Sequence, residues 1–139
     1  MILHTRSEKE TENAGRELAS LLRPGSVVAL YGDLGAGKTA FVRGLACGLG
    51  LDVRVSSPTF TIVNEYLGSV PLFHFDMYRI NSADELFDIG WDDYLERGGI
   101  CAVEWSENIS GAIPEEAIRV LIRKTDDTSR EIEIKFPED

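Results

Sequence analysis

Gly32-Asp33-Leu34-Gly35-Ala36-Gly37-Lys38-Thr39 is the stretch that decides the fold. Residues 26–31, a short Val-containing apolar run, read as a buried strand leading straight into it. Phe41, Val42, Leu45, Ala46 and Leu49 follow at helical spacing, with Gly48 and Gly50 to end the helix. Strand, glycine loop and helix are the context in which G-x-x-x-x-G-K-T wraps phosphate. Glycines let successive backbone N–H groups turn inward, and the helix adds its positive end. A bare match arises by chance in about one chain of this length in 200; the flanking elements set this one apart. Gly32 to Ala40 are therefore candidate nucleotide contacts. Lys38 is expected to reach the β- and γ-phosphates, and the Thr39 hydroxyl to bind Mg²⁺.

Such a loop needs an acidic partner for the metal at the end of a neighbouring apolar strand. Leu72-Phe73-His74-Phe75-Asp76 and Ile100-Cys101-Ala102-Val103-Glu104 both fit. One acid would bind Mg²⁺ through water, the other directly or by polarising the attacking water; spacing leaves Asp76 and Glu104 interchangeable. Thr59 and Thr61 lie in a polar loop after the first nucleotide helix, where GTPases keep a γ-phosphate sensor. His74, in an apolar strand, reads as a satisfied core histidine. Trp105 fits a core anchor and a docking surface equally, and Arg79 a surface charge or a phosphate contact.

Around this centre, Ser7-x-x-Glu10 is a capping box opening a helix that carries Ala14, Leu18, Leu21 and Leu22 and stops at Pro24-Gly25. Ser82-x-x-Glu85 opens a second, short helix. In residues 130–136, Ile132, Ile134 and Phe136 alternate with Glu131, Glu133 and Lys135. That is the period of an antiparallel strand with one wet face; residues 117–123 form its partner. The predicted fold is α/β: a P-loop NTPase-like three-layer sandwich. Its sheet is mixed, a parallel nucleotide-binding core plus antiparallel C-terminal strands, in one domain over residues 1–139.

Composition narrows the classes. The 139 residues are 43% hydrophobic and 27% charged, a globular balance, with a formal net charge of −10. That acidity gives little help toward nucleic-acid phosphates and suits a basic protein partner. Cys47 and Cys101 lie in apolar runs without metal-type spacing and read as reduced core thiols. No basic-then-apolar signal opens the chain, and no apolar stretch nears the roughly 20 residues of a membrane span. The expectation is a cytoplasmic protein with no membrane partner.

Several segments together resemble one family: the glycine loop, Ser57-Pro58-Thr59-Phe60-Thr61, Glu65-Tyr66, His74-Phe75-Asp76-Met77-Tyr78-Arg79, Glu85-Leu86, Asp93-Tyr94-Leu95 and Val103-Glu104-Trp105. Their order and spacing resemble TsaE (YjeE), the bacterial ATPase of tRNA threonylcarbamoyladenosine synthesis, across residues 7–114. The resemblance implies an ATP- and Mg²⁺-binding component required when TsaD, supported by TsaB, places threonylcarbamoyl on the adenosine beside the anticodon of tRNAs reading codons that start with A. It implies contact with tRNA through that complex alone. It makes Thr39 and Glu104 the Mg²⁺ ligands, gives Asp76 a part in water or metal positioning, and makes residues 57–61 a switch near the γ-phosphate. Ser7 and Glu8, and an arginine of the last hairpin, by position Arg130, would touch the nucleotide. One departure stands out: where many relatives carry a second threonine, this chain has Ala40. No segment resembles the Asn/Thr-Lys-x-Asp guanine signature, which favours ATP over GTP. The competing readings are a P-loop small-molecule kinase, for which residues 66–105 offer Arg79 and Arg97 but no clear lid, and a nucleotide-gated binding module with negligible turnover.

Overall fold

The computed structural model describes residues 1–33, 35–51, 54–55 and 62–137. Strand β1 (Ile2–Thr5) leads to helix α1 (Glu8–Ala19), β2 (Val27–Tyr31) and helix α2 (Lys38–Gly48). Then come β3 (Val63–Tyr66), β4 (Leu72–Asp76), α3 (Ala83–Ile89), α4 (Trp91–Glu96) and β5 (Ile100–Glu104). A 3₁₀ segment (Ser106–Ala112) and the hairpin of β6 (Ile118–Lys124) and β7 (Arg130–Lys135) close the chain.

One seven-stranded sheet runs in the order β1-β7-β6-β2-β5-β4-β3. Its centre, β6-β2-β5-β4, is parallel, and β7, β1 and β3 join antiparallel at the edges. The mixed sheet was legible in advance; its antiparallel additions lie at both edges rather than only at the C-terminal one, because β3 returns on β4.

The central strands are apolar on both faces, as parallel strands between helical layers must be. In β2, Val28 and Leu30 pack into one core with Phe41, Val42 and Leu45 of α2 and Ala14 and Leu18 of α1. Val27 and Ala29 pack into the other, with Phe73, Phe75, Trp91, Cys101 and Val103. The sheet is thus the middle of three layers. Ile132 and Ile134 of β7 are buried and Glu131 and Glu133 half-buried, as their alternation requires.

Ser7 caps α1, its hydroxyl accepting the Glu10 N–H at 3.1 Å, while the Glu10 carboxylate accepts the Arg6 N–H at 3.2 Å. At the second box, Ser82 makes no side-chain cap, and Glu85 accepts the Asn81 N–H at 2.7 Å instead. Helix α3 then stops at Gly90, whose left-handed conformation (φ 78°) starts the separate helix α4.

Helices α1 and α2 cross with their backbones in contact. A Cβ on Gly15 would strike the Phe41 carbonyl oxygen, and one on Gly44 the Glu12 carbonyl oxygen. Only hydrogen fits at those two places, so the glycines set how closely the N-terminal helix lies on the helix that follows the glycine loop.

The cysteines divide. Cys101 is buried, and burial pushes its thiol up to about 12. Cys47 is exposed on α2 and is not a core thiol: the inward arc of the helix is taken by Phe41, Val42, Leu45 and Ala46. Among the described residues no helix is long and apolar enough to cross a membrane.

Candidate active site at the glycine loop

In open α/β sheets, ligands bind beyond the carboxyl ends of the parallel strands. The glycine loop leaves β2 at that end, and β4 and β5 finish beside it with Asp76 and Glu104 as register partners. A cleft of about 530 Å³ opens there. It is lined by Gly35 to Ala40 from the loop and α2, by Asp76, Glu104 and Trp105 from the strand ends, by Ser7, Glu8 and Thr11 from α1, by Arg43, and by Asp127, Thr128 and Arg130 from the last hairpin.

Gly37 is the N-cap of α2 at φ 106°, a conformation that side chains rarely adopt. Among the described residues no side chain caps the helix. Its first-turn N–H groups, which have no intrahelical partner, begin at the cleft wall, where an anion would complete them. The Lys38 ammonium donates to the Gly32 carbonyl at 2.6 Å and stands 3.5 Å from the centroid of the Trp105 ring. Burial pushes the Lys38 pKa below its ordinary value, against the opposing charges of Glu104, Glu107, Asp76 and Asp33.

Trp105 reaches Lys38 from an unusual backbone. At φ 59°, ψ 42° it is the one non-glycine residue with positive φ among those described. For a bulky residue that conformation costs on the order of 1–3 kcal/mol. It turns the chain sharply after β5 and brings the indole against Lys38 and Tyr78, whose ring lies 4.9 Å away.

The Thr39 hydroxyl faces the Glu104 carboxylate, 3.1 Å and 3.3 Å from its two oxygens. Glu104 also meets Nε2 of His74 at 2.5 Å. Asp76 accepts the Tyr78 N–H at 2.9 Å. Burial, then the neighbouring Glu104 charge, hold the Asp76 carboxyl above the usual carboxylate range, while the Tyr78 N–H, His74 and Lys38 pull the other way. A hydroxyl and two carboxylates are oxygen donors of the kind Mg²⁺ takes. Among the described residues no group of three or more His, Cys, Asp or Glu side chains is placed to cage a metal. Mg²⁺ does not need such a cage; it is commonly held by one or two carboxylates plus phosphate oxygens.

Arg130 braces the loop. Its guanidinium donates to the carbonyls of Ala36 at 2.8 Å and Gly35 at 3.2 Å, and to those of Asp126 and Ser129 in its own hairpin. Arg43 bridges the two helices at the cleft wall, 2.8 Å from Glu8 and 2.6 Å from Glu12.

Ser7, Gly35, Ala36, Gly37, Lys38, Thr39, Ala40, Asp76, Glu104 and Arg130 thus all border one cleft. Gly32 and Asp33 stand at the root of the loop and do not line it. Leu34, Thr59 and Thr61 lie outside the described residues. Arg79 is exposed and does not border the cleft. His74 is fully buried and only half satisfied, since its Nδ1 has no hydrogen-bond partner among the described residues. Thr11, Arg43, Asp127 and Thr128 were missed. Arg43 had a signal, standing one helical turn after Thr39.

The sequence profile of a family described as "Threonylcarbamoyl adenosine biosynthesis protein TsaE" matches residues 5–132. This chain belongs to the TsaE family. Members resembling it include the tRNA threonylcarbamoyladenosine biosynthesis protein TsaE of Treponema pallidum, 42% identical over 94% of this chain and 96% of the relative. The protein of the same name from Bacillus subtilis is 44% identical over 92% of this chain and 80% of the relative. In fold, the TsaE chain here is similar to a crystal structure of Bacillus subtilis YdiB, with a TM-score of 0.82, 36% identity, and coverage of 99% of this chain and 86% of that one.

Proposed function

We propose that this chain is the ATP-binding and hydrolysing component of tRNA threonylcarbamoyladenosine biosynthesis, working as one P-loop ATPase domain (residues 1–139) in the cytoplasm. It acts with TsaD and TsaB on tRNAs that read codons starting with A, and meets tRNA through that complex. The observation that carries the reading is the approach of the Thr39 hydroxyl to the Glu104 carboxylate at 3.1 Å beside the glycine loop, in a TsaE-family chain.

The chemistry follows from the placement of side chains. ATP lies with its phosphates along Gly35 to Ala40, where the first-turn N–H groups of α2 and the Lys38 ammonium share the negative charge. Thr39 and Glu104 are the side chains suited to hold Mg²⁺, which when bound neutralises charge on the β- and γ-phosphate oxygens. Asp76, one strand over from Glu104, is placed to orient water for attack. Arg130 keeps the loop in shape from behind, and Ser7 and Glu8 close the cleft from α1.

The decisive experiment is ATP hydrolysis by the purified protein, alone and with TsaB–TsaD, with and without Mg²⁺. The expected result is slow Mg²⁺-dependent turnover that the pair stimulates strongly. Tight ATP-dependent complex formation without turnover would replace the ATPase with a nucleotide-gated binding module; neither stimulation nor complex formation would overturn the proposal.

A further inference from the structure

We infer that His74 is the positioning residue for Glu104: it donates its Nε2–H to Oε2, the carboxylate oxygen that the Thr39 hydroxyl also approaches most closely, and so fixes that carboxylate at the phosphate end of the cleft. The inference rests on the reading of Glu104 as the Mg²⁺-holding carboxylate and assigns what keeps it in place.

In β4, Phe73 and Phe75 point into the core beneath α3 and α4, so His74 lies on the opposite face with Leu72, on the side of α2. The parallel register sets His74 opposite Ala102 and Asp76 opposite Glu104. His74 is thus one step inward from the strand ends, and the small Ala102 leaves room for the ring to reach forward to Glu104. Its Nε2 lies 2.5 Å from Oε2 of Glu104. A carboxylate only accepts, so Nε2 carries the hydrogen of this bond. Nδ1 is buried and has no hydrogen-bond partner among the described residues. An apolar side chain would fill the site without leaving a buried polar atom unmatched, so packing alone does not account for a histidine here. The polar bond the ring does make goes to the carboxylate of the cleft.

The Thr39 hydroxyl also donates to Glu104. A metal at Thr39 would take a lone pair of that hydroxyl and fix where its O–H points. The grip from the sheet side, through His74, does not depend on where the Thr39 hydroxyl turns. Partners of metal-ligating carboxylates act in this way, and removing one typically costs ten- to a hundredfold in metal affinity.

The test compares His74→Phe, which keeps a ring but no donor, with His74→Gln, whose amide restores a donor at similar reach. ATP affinity is titrated calorimetrically with Mg²⁺ and with EDTA, after thermal unfolding has shown each variant folded. In His74→Phe the gain in ATP affinity from Mg²⁺ should fall about ten- to a hundredfold, with affinity in EDTA unchanged, and His74→Gln should recover most of it. Full Mg²⁺ gain in His74→Phe, or equal loss in both variants, overturns the inference. A second readout needs no variant: long-range ¹H–¹⁵N spectra of the wild type should show a hydrogen on Nε2, and a ring whose Nε2 carries none overturns it. A wild type whose ATP affinity is the same in Mg²⁺ and EDTA removes Glu104 as a metal ligand and takes this inference with it.

Discussion

The Lys38 ammonium lies 3.5 Å from the centroid of the Trp105 ring while it donates to Gly32 in its own loop. On the proposed function, the lysine that would bind phosphate is thereby stored against an aromatic face. Phosphate draws Lys38 away from the indole, so ATP should change Trp105 fluorescence, read in a Trp91→Phe background. Lys38→Ala should abolish that change and weaken ATP by about 1.5–3 kcal/mol, the value of a hydrogen bond to a charged group. Unaltered affinity in a calorimetric titration would remove Lys38 from the phosphates.

Thr39 and Glu104 should separate binding from turnover. Thr39→Ala removes a metal-directed hydroxyl and should weaken Mg-ATP by about tenfold or more, while ATP in EDTA binds as before. Glu104→Ala should lose hydrolysis and most of the Mg²⁺-dependent gain in ATP affinity, while ATP in EDTA still binds through the loop and Lys38. A Glu104→Ala protein hydrolysing at the wild-type rate would exclude this carboxylate from the reaction.

Asp76 carries a predicted signature in stability. Its carboxyl is held above the usual range chiefly by burial, so the folded state binds its proton more tightly than the unfolded chain does. The sign follows: the contribution is fully favourable below the ordinary carboxylate pKa of about 3.9 and is lost as pH rises through the raised folded value. At neutral pH the ionised Asp76 is a liability to the nucleotide-free protein. Asp76→Asn should therefore raise the melting temperature there, with the advantage shrinking in acid, while turnover is lost. Thermal melts across pH check this; equal melting temperatures throughout would mean the charge is solvated after all.

Arg130 should act on the nucleotide through the loop it braces. Arg130→Ala leaves the Gly35 and Ala36 carbonyls without its two N–H donors. Each such bond contributes about 0.5–1.5 kcal/mol, so a several-fold loss of ATP affinity and a modest drop in melting temperature are expected. Arg130→Lys should rescue poorly, because a point ammonium does not replace a planar fork. Full rescue by lysine, in calorimetry and thermal melts, would reduce Arg130 to a charge.

What the sequence made legible was local. A strand, a glycine turn and a helix follow one another without a gap, and an apolar run ending in an acid is a single pattern, so the loop, Asp76 and Glu104 could be read before any coordinates. What escaped was long-range or contrary to preference. Strand β1 is four residues that make sense only beside β7, at the far end of the chain. The left-handed Trp105 runs against the ordinary preference of an aromatic residue. Arg130 came into view only through the family resemblance, because an arginine that opens an alternating strand reads by itself as surface charge. His74 reads in sequence as a satisfied core residue because an apolar strand does not show that one ring nitrogen lacks a partner among the described residues.

The crossing of α1 on α2 has a practical bearing on mutational scans. Gly15 and Gly44 border no part of the nucleotide cleft, yet a side chain at either would wedge apart the helices that carry Ser7, Thr11, Thr39 and Arg43 to it. A screen for ATP hydrolysis would rank these two glycines alongside Lys38, and only melting curves or protein abundance would separate the spacers of the machine from its working parts.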